Sequence, residues 1–213
     1  MKLFVICSKK FYNRIPMIKE VLEKSGHQVF LPNCYDKPNT EDEIRMLGEE
    51  EHAKFKGAMY KQSEELINDM DGVLVLNLDK NGQKNYIGGA TFLEMYDAFK
   101  VQKDIYLYNP IPSGILTDEI IGFNPTIING NLHLIQNINK VQTRILQFLD
   151  CTSFKTINEL TSGLKLDYDI CSREVTSLCE KELATNENKI DAYTITQSGI
   201  EQLDGKKVKQ LKI

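Results

Sequence analysis

The apolar positions fall into two regimes along the chain. Over the first 135 residues, short runs rich in β-branched and aromatic residues alternate with stretches of helical spacing. "KLFVIC" opens as a buried strand. In "RIPMIKEVLEKSG" the apolar residues Ile15, Ile18, Val21 and Leu22 follow the helical period, and Gly26 stops the helix. "HQVFLP" is a second strand, closed by Pro32. The charged stretch "YDKPNTEDEIRMLGEEEH" is expected as a loop, with "GEEEH" as a solvated face, leading into a helix that ends at "EELINDM". "DGVLVLN" is the clearest strand, because so continuous an apolar run suits a parallel strand covered on both faces. "GGATFLEMYDAFKVQK" is helical, with Phe92, Met95, Tyr96 and Phe99 on one side. "DIYLYN" is a fourth strand, ended by "PIPSG". A short helix, "TDEIIG", and a fifth strand, "PTIING", finish the unit. Such alternation, with right-handed crossovers, predicts an α/β domain over residues 1–135. Its core is a doubly wound parallel sheet of the Rossmann or flavodoxin type.

From about Asn137 the pattern changes. "INKVQTRILQFLD" is an amphipathic helix. "TINELTSGL" is a second, with Thr156 as its N-cap, and "YDICSREVTSLCEKEL" a third. "ATNENKIDAYTITQSGIEQL" gives two short strands around a polar turn, then a helix. This order predicts a small winged-helix domain over residues 137–213, a helix-turn-helix variant. The close "YTITQSGIEQL" resembles the "Y-x-L-T-x-x-G" ending of many winged-helix regulators.

Composition changes this picture little. A chain of 213 residues suits one medium and one small domain. The net charge of -4 supplies no global basic field for nucleic acid. No apolar run approaches the roughly 18 residues of a membrane span, so no membrane partner is expected. "MKLFVICSKKF" is read as a first strand, not a signal peptide. Five cysteines without a CxxC pair point to a reducing, cytoplasmic setting and to no metal centre. Nothing calls for a cofactor.

Ligands of an open parallel sheet bind beyond the carboxyl ends of its strands. Three segments occupy such places: "CSKKFYNR", "NLDKNGQKNYIGGAT" and "NPIPSG". The first offers Ser8, Lys9, Lys10 and Arg14, either as a phosphate site or as a solvated loop. Tyr12 there either stacks on a base or packs on the sheet. In the second segment, Gly88 and Gly89 allow close backbone approach, and Glu94 follows early in a helix. A glutamate in that position is ordinarily solvated and dipole-stabilised, so spacing alone does not make it functional. Asp71, at a strand start, is either a structural cap or a ligand contact. His27, His52 and His133 are scattered and expected to be structural or on the surface.

"DMDGVLVLN" and "NYIGGATFLEMYDAFKVQKDIYLYNP" together resemble the nucleoside 2-deoxyribosyltransferase-like family, which includes deoxyribosyltransferases and nucleotide N-glycosidases. Asp71, Gly89, Glu94, Lys103 and "IYLYN" match its pattern in order and spacing, and the resemblance spans about residues 1–135. It implies a nucleoside or nucleotide ligand and a homodimer. It assigns Glu94 as the nucleophile, with Asp71 beside it among the catalytic groups. A carboxylate suits that chemistry, since breaking an N-glycosidic bond builds positive charge at the anomeric carbon. The sequence also departs from the family. Ser63 stands where an aspartate is common, eight residues before Asp71. Ile87, Gly88 and Gly89 stand where transferases often carry an acid, leaving Asp79 or Tyr86 as substitutes. Hydrolysis, transfer and binding without turnover all stay open.

The winged helix raises a second reading, a nucleotide-sensing regulator that binds DNA. Its third helix would present Ser172, Arg173, Thr176 and Ser177 to bases or phosphates. Over residues 137–213, however, eleven Lys and Arg balance eleven Asp and Glu, so the net charge is zero. The cations cluster only at the tail, in Lys206, Lys207, Lys209 and Lys212. DNA binding and a protein-contact role both remain open for this domain.

Overall fold

The computed structural model describes residues 1–149, 153–186 and 191–210, with the backbone alone for 204–210. The chain divides into two compact units, Met1–Asn139 and Lys140–Ile213.

In the first unit the apolar runs become β1 (Lys2–Ile6), β2 (Gln28–Phe30), β3 (Gly72–Val75), β4 (Asp104–Leu107) and β5 (Thr126–Ile127). They form one parallel sheet in the order β2-β1-β3-β4-β5. Alternate residues of each strand point to opposite faces. Leu3 and Val5 of β1 therefore meet α1 (Ile15–Lys24) through Ile15, Ile18 and Leu22. Phe4 and Ile6 meet the other face. There α3 (Glu49–Asn68) contributes Ile67, α4 (Gly89–Lys100) contributes Met95 and Ala98, and α5 (Thr117–Gly122) contributes Ile120. Each of these side chains is at 2% exposure or less, and each one larger than Ala98 stabilises the sheet by roughly 1.5–3 kcal/mol. Helices on both faces make the sheet doubly wound. Gly72 is required at the start of β3, because a Cβ there would stand 2.7 Å from the backbone oxygen of Asp104 on β4.

Two stretches expected as loops are helical. Residues Lys9–Arg14 form a 3-10 turn that runs directly into α1. Within the charged stretch, Thr40–Met46 form α2, with Glu41, Asp42 and Glu43 in its first turn. Acids at a helix N-terminus are favourable, but α2 buries no residue. It therefore carries no apolar stripe for a periodicity reading to detect. Glu49, Glu50 and Glu51 do face solvent, in the first turn of α3.

The second unit contains α6 (Lys140–Phe148), β6 (Lys155–Thr156), α7 (Ile157–Leu164), α8 (Tyr168–Glu180), β7 (Ala184–Thr185), β8 (Ala192–Ile195) and α9 (Gln197–Gln210). Its strands pair antiparallel in the order β6-β8-β7. The sequence pattern did not suggest β6, which is only two residues long. Thr156 caps α7 as expected. Its hydroxyl accepts from Glu159 N at 3.2 Å, and Glu159 Oε2 accepts from Thr156 N at 2.8 Å, a reciprocal capping box. The core gathers Ile145, Leu160, Cys171, Val175 and Leu178. Among the described residues, no helix is long and apolar enough to cross a membrane.

Candidate functional site

Strand order reverses between β1 and β3, since the chain leaves β1 towards β2 on one side and continues from β3 towards β4 on the other. In parallel sheets the crevice at such a switch point is where ligands bind. Here it holds a cavity of about 450 Å³, within the usual range for small-molecule sites.

The carboxyl edge of the sheet is held by a pair of asparagines. Asn77 Nδ2 donates to the carbonyls of Asn109 and Pro110, each at 3.0 Å, and Asn109 N donates to Asn77 Oδ1 at 2.8 Å. This clasp uses "NPIPSG" structurally, and that segment does not line the cavity. It also fixes the origin of the loop between β3 and α4. That loop doubles back through a tight turn, with Lys80 bridged to Gln83 around Asn81 (φ 51°) and Gly82 (φ 81°). Two successive positive φ values favour an Asn-Gly pair. Asp79 Oδ1 accepts from Asn85 N at 2.9 Å and closes the same turn. The turn carries Lys80 back to the cavity. There its Nζ donates to Ser8 Oγ at 3.0 Å and lies 4.2 Å above the Tyr86 ring.

Glu94 sits in the second turn of α4, facing α3. Ser63 Oγ donates to Glu94 Oε1 at 3.0 Å, and Asn33 Nδ2 donates to Ser63 Oγ at 2.8 Å. Burial pushes the Glu94 carboxyl up to about 7; the Ser63 hydrogen bond and the Lys56 charge pull it down, and Asp97 adds to the rise. Glu94 therefore titrates near neutrality, as a group recruited for chemistry often does. Burial, reinforced by the Glu94 charge, pushes the Cys7 thiol up to about 12, so it is no thiolate nucleophile at neutral pH. Burial likewise raises the Tyr12 hydroxyl, which donates to the Asn33 carbonyl at 3.1 Å.

The remaining wall is charged. Lys9 pairs with Asp42 of α2. Burial favours the neutral form of the Glu41 carboxyl. The hydrogen bond with His52 and the Lys56 and Arg45 charges outweigh it and hold the carboxyl below the usual range. Lys80 differs from Lys9 and Lys56 in having no carboxylate partner among the described residues.

Of the residues singled out in the sequence, Ser8, Lys9, Tyr12, Ser63, Tyr86, Gly88, Gly89 and Glu94 line this one cavity. Gly89 leaves open space where a side chain would stand, while a Cβ on Gly88 would meet the Tyr86 hydroxyl at 2.8 Å. Four others stand elsewhere. Lys10 and Arg14 are exposed outside the lining, because the 3-10 turn points them to solvent. Asp79 is spent on its own turn. Asp71 precedes β3, at the amino edge of the sheet, and accepts from Lys2 N at 2.7 Å. It is thus a structural cap on the edge opposite Glu94. Asn33, Lys56 and Lys80 also line the cavity, with no motif in the sequence to mark them as site residues. The Asn-Gly turn after Lys80 was the one local signal that could have brought it forward. In the second unit, Arg173 Nε and Nη2 bond Glu174 Oε1 at 3.1 and 3.0 Å. Thr176 Oγ1 donates to the Ser172 carbonyl at 2.8 Å, and Ser177 Oγ accepts from Gln142 Nε2 at 3.1 Å. Lys206, Lys207 and Lys209 have no described side chains, and Lys212 lies outside the described residues. Compared with models of known protein families the chain matches none, and no curated protein matches it significantly.

Proposed function

We propose that the first unit cleaves or transfers at the N-glycosidic bond of a nucleoside or nucleotide, with Glu94 as the nucleophile. The observation that carries this reading is the setting of Glu94. One oxygen is held by Ser63, on the wall of a cavity at the switch point of the sheet, with tyrosines and lysines around it. In this reaction a carboxylate oxygen bonds to the anomeric carbon as the carbon–nitrogen bond breaks. The bonding pair leaves with the base, which takes up a proton. Water or a second base then displaces the glutamate, giving hydrolysis or transfer. Tyr12 and Tyr86 offer faces for a base or sugar. Incubation with deoxynucleosides and their 5′-monophosphates, followed by chromatography for free base, tests the reading. Release of base supports it, and no release from any of them removes it.

Lys80 makes the reading more specific. An ammonium without a carboxylate partner among the described residues, beside the Ser8 hydroxyl, suits an anionic group on the ligand. Charge-assisted hydrogen bonds contribute ~1.5–3 kcal/mol. Lys80→Ala is therefore expected to raise KM for monophosphates by about tenfold or more, with little change for the unphosphorylated nucleosides. Equal effects on both would remove Lys80 as the anion contact.

A second reading draws on the second unit. Its order of helix, strand, two helices and two strands is compatible with the winged helix expected from the sequence, and a winged helix would suit a nucleotide-sensing regulator. The outward face of α8 weakens the DNA version. It exposes Asp169, Arg173, Thr176 and Glu180, two acids against one guanidinium that is already bonded to Glu174. DNA affinity on this surface would depend on the lysine-rich tail. A mobility shift that weakens steeply with salt and responds to nucleotide would support the regulator. Its absence at low salt would leave the protein-contact role for this unit.

A further inference from the structure

We propose that Ser63 is the positioning residue for Glu94, and that Asn33 makes it one by dictating which way the Ser63 hydroxyl points. The catalytic consequence rests on the N-glycosidic reading; the hydrogen-bond polarity does not. The chain of donors has only one sense. Asn33 Nδ2 lies 2.8 Å from Ser63 Oγ and 3.4 Å from the Met59 carbonyl. A backbone carbonyl can only accept, so the amide nitrogen, not its oxygen, belongs on that side. Ser63 Oγ must then accept from Asn33. The single hydroxyl proton of Ser63 is left for Glu94 Oε1, 3.0 Å away. Ser63 is only 4% exposed, so bulk water is poorly placed to replace either partner. Oε2 of Glu94 has no hydrogen-bond partner among the described residues.

This arrangement has two effects on the carboxylate. A donor committed to one oxygen favours the ionised over the protonated form. It also turns the plane of the carboxylate so that the second oxygen is the free one. Free rotation about the last bond of a glutamate is broad, and an unheld carboxylate would spend much of its time misdirected. The same anchor reaches the first loop, since Tyr12 OH donates to the carbonyl of Asn33. The position where the family resemblance led one to look for an acid thus carries a hydroxyl that faces the nucleophile instead of the leaving base.

The test titrates Glu94 directly, by the carboxyl carbon shift in protein labelled with 13C-glutamate, and measures base release on the same variants. Ser63→Ala is expected to raise the Glu94 midpoint by about one pH unit. It should also lower kcat by about tenfold with KM little changed. Ser63→Thr, which keeps the hydroxyl, is expected to restore both. Asn33→Ala frees the Ser63 hydroxyl to point elsewhere, so it should move the midpoint the same way by less; it also serves if Ser63→Ala does not fold. An unmoved Glu94 midpoint in the folded variants overturns the proposal, even if the protein releases base. A moved midpoint without base release from any nucleotide upholds the positioning and removes the N-glycosidic reading.

Discussion

Glu94→Gln is expected to reduce base release by on the order of a thousandfold or more, while ligand binding survives. The substitution keeps the shape of the side chain and still offers an oxygen to the Ser63 hydroxyl, 3.0 Å from Oε1 in the native protein. It removes the anionic oxygen that would meet the electron-poor carbon. Binding should persist because Lys9, Lys56 and Lys80 lie on other segments of the cavity wall. Single-turnover assays isolate the chemical step, and calorimetric titration with the same nucleotide reads the binding. Equal rates in the two proteins would mean that Glu94 is a bystander.

The second large effect is on pH dependence. A nucleophile must be ionised, so kcat/KM is expected to rise with pH through a half-point near 7, the position to which burial carries the Glu94 carboxyl. A general acid at Glu94 would give the opposite slope. Stability should move the other way. A carboxyl whose folded pKa lies above its unfolded value binds its proton more tightly in the native state. Its favourable contribution is complete below the ordinary value of 4.5 and is lost as pH rises through about 7. Glu94→Gln has no proton to lose. It is therefore expected to match wild type near pH 4 and to exceed it by roughly 3 kcal/mol at pH 8. Urea unfolding at the two pH values measures this. A constant difference would show that Glu94 does not titrate abnormally.

The parts of the fold that were legible in the sequence are those with a strong period. The centres of "DGVLVLN" and "DIYLYN" are apolar without alternation because both faces of β3 and β4 are covered, and Ile15, Ile18 and Leu22 mark the one face that α1 buries. The α2 helix was not legible, since a short helix held by surface charges has no apolar stripe. The switch point itself could be inferred from strand–helix alternation, and it brought Ser8, Lys9, Tyr12 and Glu94 towards one place. The sequence could not place Asn33 or Lys80, and it marked Ser63 only as the position of a missing acid. Asn33 acts through its amide, 30 residues from Ser63 along the chain. Lys80 reaches the cavity only because a two-residue turn folds the loop back. Asp71 shows the converse. A residue that matches a pattern in spacing can sit on the wrong edge of a sheet, because a strand separates what its two ends can touch.

Covalent trapping tests the central claim most directly. A 2-deoxy-2-fluoro nucleoside or its 5′-monophosphate slows release of a glycosyl group from a carboxylate, because fluorine disfavours positive charge at the neighbouring carbon. Intact-mass measurement followed by peptide mapping is expected to show one glycosyl adduct per chain, on Glu94, with a stoichiometric burst of free base. It should be absent from Glu94→Gln. An adduct on any other residue, or base released with no adduct on Glu94, would contradict a nucleophilic Glu94.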